Sequence, residues 1–76
     1  MQSWQKDVVA DRDALKIKIS RLNKFLDGDV FKQLSAPEQY MLEEQYRFMF
    51  RYYDILVKRI ETFEVKNGSQ ALSVSD

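Results

Sequence analysis

The polar residues best placed to do chemistry in this chain recur at every seventh position. Asp11 and Lys18 are seven apart, and Gln45, Tyr52 and Arg59 repeat the interval. Each row runs beside apolar residues of the same period: Val8, Leu15 and Leu22 for the first, Leu42, Met49, Leu56 and Phe63 for the second. Seven residues make two helical turns, so each row is a polar line on the flank of an apolar seam. A polar group there is costly unless it finds a partner. Two readings satisfy that demand. In the structural one, antiparallel packing brings Asp11 to the level of Arg59, and the pair fixes register while Lys18 reaches solvent or a neighbouring subunit. In the functional one, Lys18 and Arg59 line an inter-subunit pocket for a small anion. Trp4 has the same two readings, a stacking surface for a flat ligand or a hydrophobic anchor.

Covalent chemistry has little to work with. The chain contains no Cys and no His, which removes disulfides, thiolate or imidazole metal sites and the commonest nucleophiles and bases. No Gly-rich phosphate loop is present, and the charged clusters Asp11-Arg12-Asp13 and Glu43-Glu44 with Arg47 read as solvated helix surface. The expectation is a non-enzyme without a cofactor. Lys and Arg balance Asp and Glu at 12 each, which argues against a duplex nucleic-acid binder but leaves room for a local basic pocket. No apolar run is long enough to cross a membrane. The first residues, Met1 to Asp7, lack the apolar core of a signal peptide, so a cytoplasmic chain is expected.

The elements that position these residues follow from the punctuation. Gly28, in Asp27-Gly28-Asp29, ends an apolar-periodic stretch and is read as a helix stop in the left-handed conformation. Ser35-Ala36-Pro37-Glu38 reads as a helix start, with Ser35 as cap, Pro37 in the first turn and Glu38 at the capping-box position. The spacing predicts a first helix from about Ser3 to Leu26 and a second from about Ala36 to Val65, roughly 45 Å long at about 1.5 Å per residue. Between them Val30, Phe31 and Leu34 form a short helical turn that plugs the end. The fold class is all-α, an antiparallel two-helix hairpin with a short connecting helical turn. Residues 1–65 form the oligomerisation and ligand-binding domain, and residues 66–76, after Asn67-Gly68-Ser69-Gln70, a flexible tail.

The apolar surface exceeds what a hairpin can hide. The first helix offers Trp4, Val8, Leu15, Ile19, Leu22 and Leu26; the second offers Leu42, Tyr46, Met49, Tyr53, Leu56, Ile60 and Phe63. The second helix adds another stripe, Met41, Phe48, Tyr52 and Ile55, while Phe50 and Val57 widen the first face on its other side. One partner helix covers only about a 100° face. A chain of 76 residues with neither disulfide nor metal also needs outside support. The expectation is a homo-oligomer whose interface is Met41, Phe48, Tyr52 and Ile55.

These rows in order read Val8-x2-Asp11-x3-Leu15-x2-Lys18-x3-Leu22-x2-Phe25-Leu26. Phe31 and Leu34 follow, then Glu38-Gln39-x2-Leu42-x2-Gln45-x3-Met49-x3-Tyr53-x2-Leu56-x2-Arg59-Ile60. The pattern resembles the second type of phage anti-CBASS protein, the small helical sponges for cyclic oligonucleotides, over roughly residues 4–63. The resemblance implies a protein that acts in the infected bacterial host cell. There it would bind and sequester, without cutting, the cyclic di- and trinucleotides that activate the killing effectors of CBASS immunity.

The resemblance also implies a hexamer, with cyclic dinucleotides between paired subunits and cyclic trinucleotides where three subunits meet. In the family, a lysine of the first helix and an aromatic near its start hold dinucleotides. A hydroxyl two residues after that lysine and a late arginine of the second helix hold trinucleotides. The lysine corresponds to Lys18, the hydroxyl to Ser20 (Thr in some members) and the arginine to Arg59. The aromatic position falls at Ser3 by strict spacing, with Trp4 as the adjacent aromatic. The competing expectation is a structural or adaptor helical oligomer that binds a protein partner through its second stripe.

Overall fold

The structure, a computed structural model, describes residues 1–65, and the expected tail lies outside them. Three helices follow in order: α1 (Ser3–Leu26), α2 (Asp29–Gln33) and α3 (Ala36–Val65). Among the described residues there is no strand. The two long helices lie side by side in a rod of 52 × 22 × 16 Å. Their sense is antiparallel: Trp4 at the start of α1 meets Phe63 near the end of α3, ring centroids 5.2 Å apart and edge to face.

Both helix starts are built from local hydrogen bonds. Before α1, the Gln2 amide donates to Gln5 Oε1 at 2.8 Å, and Gln5 is itself buried. The backbone N–H groups of Gln5 and Lys6 then share the Gln2 carbonyl at 3.0 Å each. This satisfies donors that every helix start leaves without partners. At α3, the Glu38 amide donates to Ser35 Oγ at 3.3 Å and the Gln39 amide to the Ser35 carbonyl at 2.9 Å. Ser35 is the cap that its position predicts. Pro37 occupies the first turn, where its missing N–H has no partner to lose. Among the described residues the reciprocal half of the capping box, from the Glu38 side chain back to Ser35, is not made.

The corner corrects one expectation. Gly28 is extended (φ −90°, ψ 171°), not left-handed, because it is the cap of α2 as well as the residue that leaves α1. The carbonyls at the end of α1 are satisfied without a left-handed residue. Asp27 stays in the right-handed region (φ −86°, ψ −5°) and its amide reaches Asn23 O at 3.3 Å, while the Gly28 amide reaches Phe25 O at 3.0 Å. A Cβ at Gly28 would meet nothing closer than Phe25 O at 3.4 Å, so a small side chain fits there.

Phe31 of α2 is buried and packs edge to face on Phe25 at 6.5 Å, which makes it the plug of the hairpin. Val30 points out and is mostly exposed, contrary to its expected part in that plug; in a helix of five residues only one face can turn inward. Gln39 clasps the corner: its Nε2 lies 3.0 Å from Phe31 O, 3.4 Å from Lys32 O and 3.1 Å from Leu34 O, where it donates to carbonyls that α2 leaves open. Gln39→Ala is therefore expected to lower unfolding stability by about 1–2 kcal/mol, read as a shift of the urea midpoint at constant slope. A shift below about 0.3 kcal/mol would show that water replaces the clasp without loss.

The core sits toward the open end of the hairpin. Val8 and Leu15 of α1 pack with Leu56, Ile60 and Phe63 of α3, flanked by Val9, Ile19, Met49 and Tyr53. Both main stripes read from the sequence face inward, with Trp4 the exception at 51% exposed.

Candidate functional site

The hairpin presents two flanks, and each carries a shallow groove where α1 meets α3. On the first flank Lys18 and Asp11 stand beside the Tyr52 ring, with Leu15 beneath, around a space of about 220 Å³. On the second, Lys16, Ser20 and Asn23 of α1 face Tyr46, Phe50 and Tyr53 of α3 across about 300 Å³. The helical repeat explains the division. Lys18 and Ser20 are two residues, or about 200°, apart on α1 and cannot face the same way.

The expected residues are distributed accordingly. Ser3 is the first residue of α1 and exposed. Trp4 packs edge to face on Phe63, as its anchor reading expects, and about half of its surface stays free. Arg59 lies two turns beyond Tyr52 and so projects from the same face of α3 as that ring. The Arg59 carbonyl accepts from Thr62 Oγ1 at 2.6 Å, and among the described residues its guanidinium has no hydrogen-bond partner. Within a single chain the structure brings Lys18 together with Tyr52. It does not bring Ser20 to Arg59, which project from opposite flanks, nor Trp4 to Lys18. The latter two are fourteen residues apart, roughly 21 Å along the axis.

The expected Asp11–Arg59 pair is not formed. Among the described residues the ion pairs are Arg12–Asp13 (2.9 Å), Lys32–Asp29 (3.9 Å), Arg47–Glu44 (2.6 Å) and Lys58–Asp54 (3.1 Å). Each joins residues on one helix and most are well exposed, where such pairs contribute little. Lys18 and Arg59 belong to none of them and are exposed, Lys18 beside the Tyr52 ring. The strongest pair is Arg47–Glu44. The Arg47 hydrogen bond holds the Glu44 carboxyl below its ordinary range, and Glu44 in turn raises Arg47. A depressed carboxyl stabilises above its unfolded value and loses that effect as pH falls through its folded value, so this surface clasp loosens only in acid.

Met41, Phe48, Tyr52 and Ile55 are between 44% and 59% exposed, so the second stripe is open on the single chain. Arg47 lies over the Phe48 ring, 4.7 Å from its centroid. The aromatic wall of the second flank went unread in the sequence. There Tyr46 and Tyr53 passed as core and Phe50 as a widened face. The signal was the choice of tyrosine over leucine at seam positions, since a phenol needs its polar end near water. Among the described residues no helix is long and apolar enough to cross a membrane, and no three acidic side chains gather as for a metal ion.

The architecture and its flanks define a small helical hairpin with exposed cations and aromatic surfaces along two shallow grooves. The Sequestin family model matches residues 2–62. The chain belongs to that family, the phage anti-CBASS sponges that its sequence resembles. An uncharacterized 7.5 kDa protein from the denB-rIIB intergenic region of Enterobacteria phage T4 is 39% identical over 64 residues, covering 84% of this chain and 100% of that protein. No solved structure gives a significant match.

Proposed function

We propose that this protein is a phage immune-evasion sponge that sequesters cyclic di- and trinucleotide signals of bacterial CBASS defence and releases them unchanged. The observation that carries the reading is the family match across both helices. The chemistry is compatible. A cyclic dinucleotide carries two phosphate charges and two flat bases. Lys18 from each of two symmetry-related chains answers the phosphates, and Trp4, or the position of Ser3 beside it, lies at the level of the bases. Ser20 and Arg59 serve the cyclic trinucleotide.

The distances favour sites shared between copies. Trp4 is too far from Lys18, and Ser20 faces too far from Arg59, for one chain to complete either set. Self-association into a hexamer through Met41, Phe48, Tyr52 and Ile55 supplies the missing halves and covers the open stripe. Phe48→Glu is expected to dissociate this assembly, because a carboxylate would be buried without a partner. Light scattering with the variant at the wild-type mass would overturn the assignment of the interface.

The test of function is native mass spectrometry with a panel of cyclic di- and trinucleotides, followed by denaturation and chromatography of what was bound. The expected result is stoichiometric binding with the ligand recovered as the intact ring. Linear product above background would make the protein an enzyme. No binding, with a melting temperature that no ligand raises, would instead support the structural or adaptor oligomer.

A further inference from the structure

The groove on the first flank holds a residue for which a site for anions has no use. Asp11 stands there with Lys18 and Tyr52, and a carboxylate repels the phosphates that the neighbouring cation attracts. The fold does not account for it either. Asp11 is exposed, and the adjacent cation, Arg12, turns instead to Asp13 at 2.9 Å. Among the described residues Asp11 joins no ion pair and accepts no hydrogen bond from another side chain.

We infer that Asp11 reads the base of a cyclic dinucleotide and selects guanine. This deepens the sponge reading and rests on it. Asp11 and Lys18 are seven residues apart, which places them on one line of α1 and roughly 10.5 Å from each other along the axis. With Lys18 on a phosphate, that span matches one nucleotide, from its phosphate to the outer edge of a purine. The sugar hydroxyls lie much nearer the phosphate, so the base edge is the part of the ligand that arrives at Asp11. The space in the groove is about 220 Å³, room for one base and not for the whole dinucleotide. Tyr52, half exposed, is its flat wall.

The choice of base follows from the chemistry of the edge. A carboxylate only accepts hydrogen bonds. Guanine presents two adjacent donors on its Watson–Crick edge, N1–H and the 2-amino group, and these meet the two carboxylate oxygens together. Adenine presents one amino donor beside N1, whose lone pair faces the second oxygen. Cytosine likewise sets its amino group beside an acceptor, and uracil sets one N–H between two carbonyls. Guanine alone among these bases has two neighbouring donors there. In an isologous pair of copies a second Asp11 meets the second base, so the selection applies to both.

The test is calorimetric titration of the full chain with cyclic diguanylate, cyclic GMP–AMP and cyclic diadenylate. Wild type, Asp11→Asn and Asp11→Ala are compared, with thermal melting of each ligand-free protein by circular dichroism. Wild type is expected to bind the three in that order, weaker by about tenfold or more for each guanine replaced by adenine. Asn offers one acceptor and one donor, the complement of adenine. Asp11→Asn is therefore expected to weaken cyclic diguanylate and tighten cyclic diadenylate, which inverts the order. Asp11→Ala is expected to level the three, and both variants to melt with the wild type. A residue acting only through its charge predicts something else: removal of the carboxylate tightens all three anions by a similar factor. That uniform shift, a wild type that binds the three alike, or a parallel loss of all three with a lower melting temperature would overturn the guanine reading and leave the sponge reading standing. Binding of none of the three would overturn both this reading and the dinucleotide part of the proposed function.

Discussion

Lys18→Ala is expected to weaken cyclic dinucleotide binding by about one to two decades while cyclic trinucleotides bind as before, and Arg59→Ala is expected to do the reverse. The magnitude is that of a lost charge-assisted phosphate contact, about 1.5–3 kcal/mol. Selectivity is what the family resemblance implies, since it assigns the two cations, both projecting from the first flank, to different pockets. Lys18 shares the first flank with Tyr52 and Asp11, while Arg59 lies further along α3 and must act with a Ser20 that faces the other way. Neither cation supports the fold through an ion pair among the described residues. Their removal should accordingly leave the melting temperature of the ligand-free protein in place. Calorimetric titration of both variants with both ligand classes reads the result. Equal loss of both ligands together with a lower melting temperature would show the residues to be structural and sink the two-site assignment.

The largest effect on stability is expected at Leu56. It is the most deeply buried residue, 1% exposed, at the centre of the cluster formed by Val8, Leu15, Ile60 and Phe63. Leu56→Ala should cost about 2–5 kcal/mol, the transfer term of the lost methyl groups plus the cavity they leave. A domain of this size has little more than that to lose. The variant should then fold only as far as assembly holds it, with a melting temperature that rises with protein concentration more steeply than the wild type's. A denaturant midpoint displaced by less than about 1 kcal/mol would mean that the core collapses onto the gap, or that its centre lies elsewhere.

The binding behaviour and the stability are coupled through the same exposed surface. The hairpin uses one face of α3 for its own core and leaves both neighbouring faces open. In the proposed assembly, ligands are held between copies, and ordering of the assembly and ordering of the site are one event.

How much of this is written in the sequence depends on the range of the interaction. The boundaries of the two long helices were legible because caps and stops act over three or four residues: Ser35 with Glu38, and the break around Gly28. The inward stripes were legible because a two-helix packing has only one periodic solution. The excess apolar stripe was legible as well, since one helix cannot cover two faces. The conformation of Gly28 was not, because it depends on α2 starting at once and claiming the residue as its cap. Nor was the direction of Val30, which a single turn of helix leaves to the geometry of the corner.

The missing Asp11–Arg59 pair has the same cause. Register placed the two residues at one level, but two exposed side chains in water gain little by meeting, and only the packed angle of α1 on α3 decides whether they do. The helical period already turns Lys18 and Ser20 to opposite sides of α1, and the tertiary structure decided which aromatic residues of α3 each of them meets. The residue types that could hold a small anion were fixed by the order of amino acids, because charge and period are properties of the chain. Which of them face the same ligand was decided by packing, because two helices meeting along one seam divide every other face between two sides.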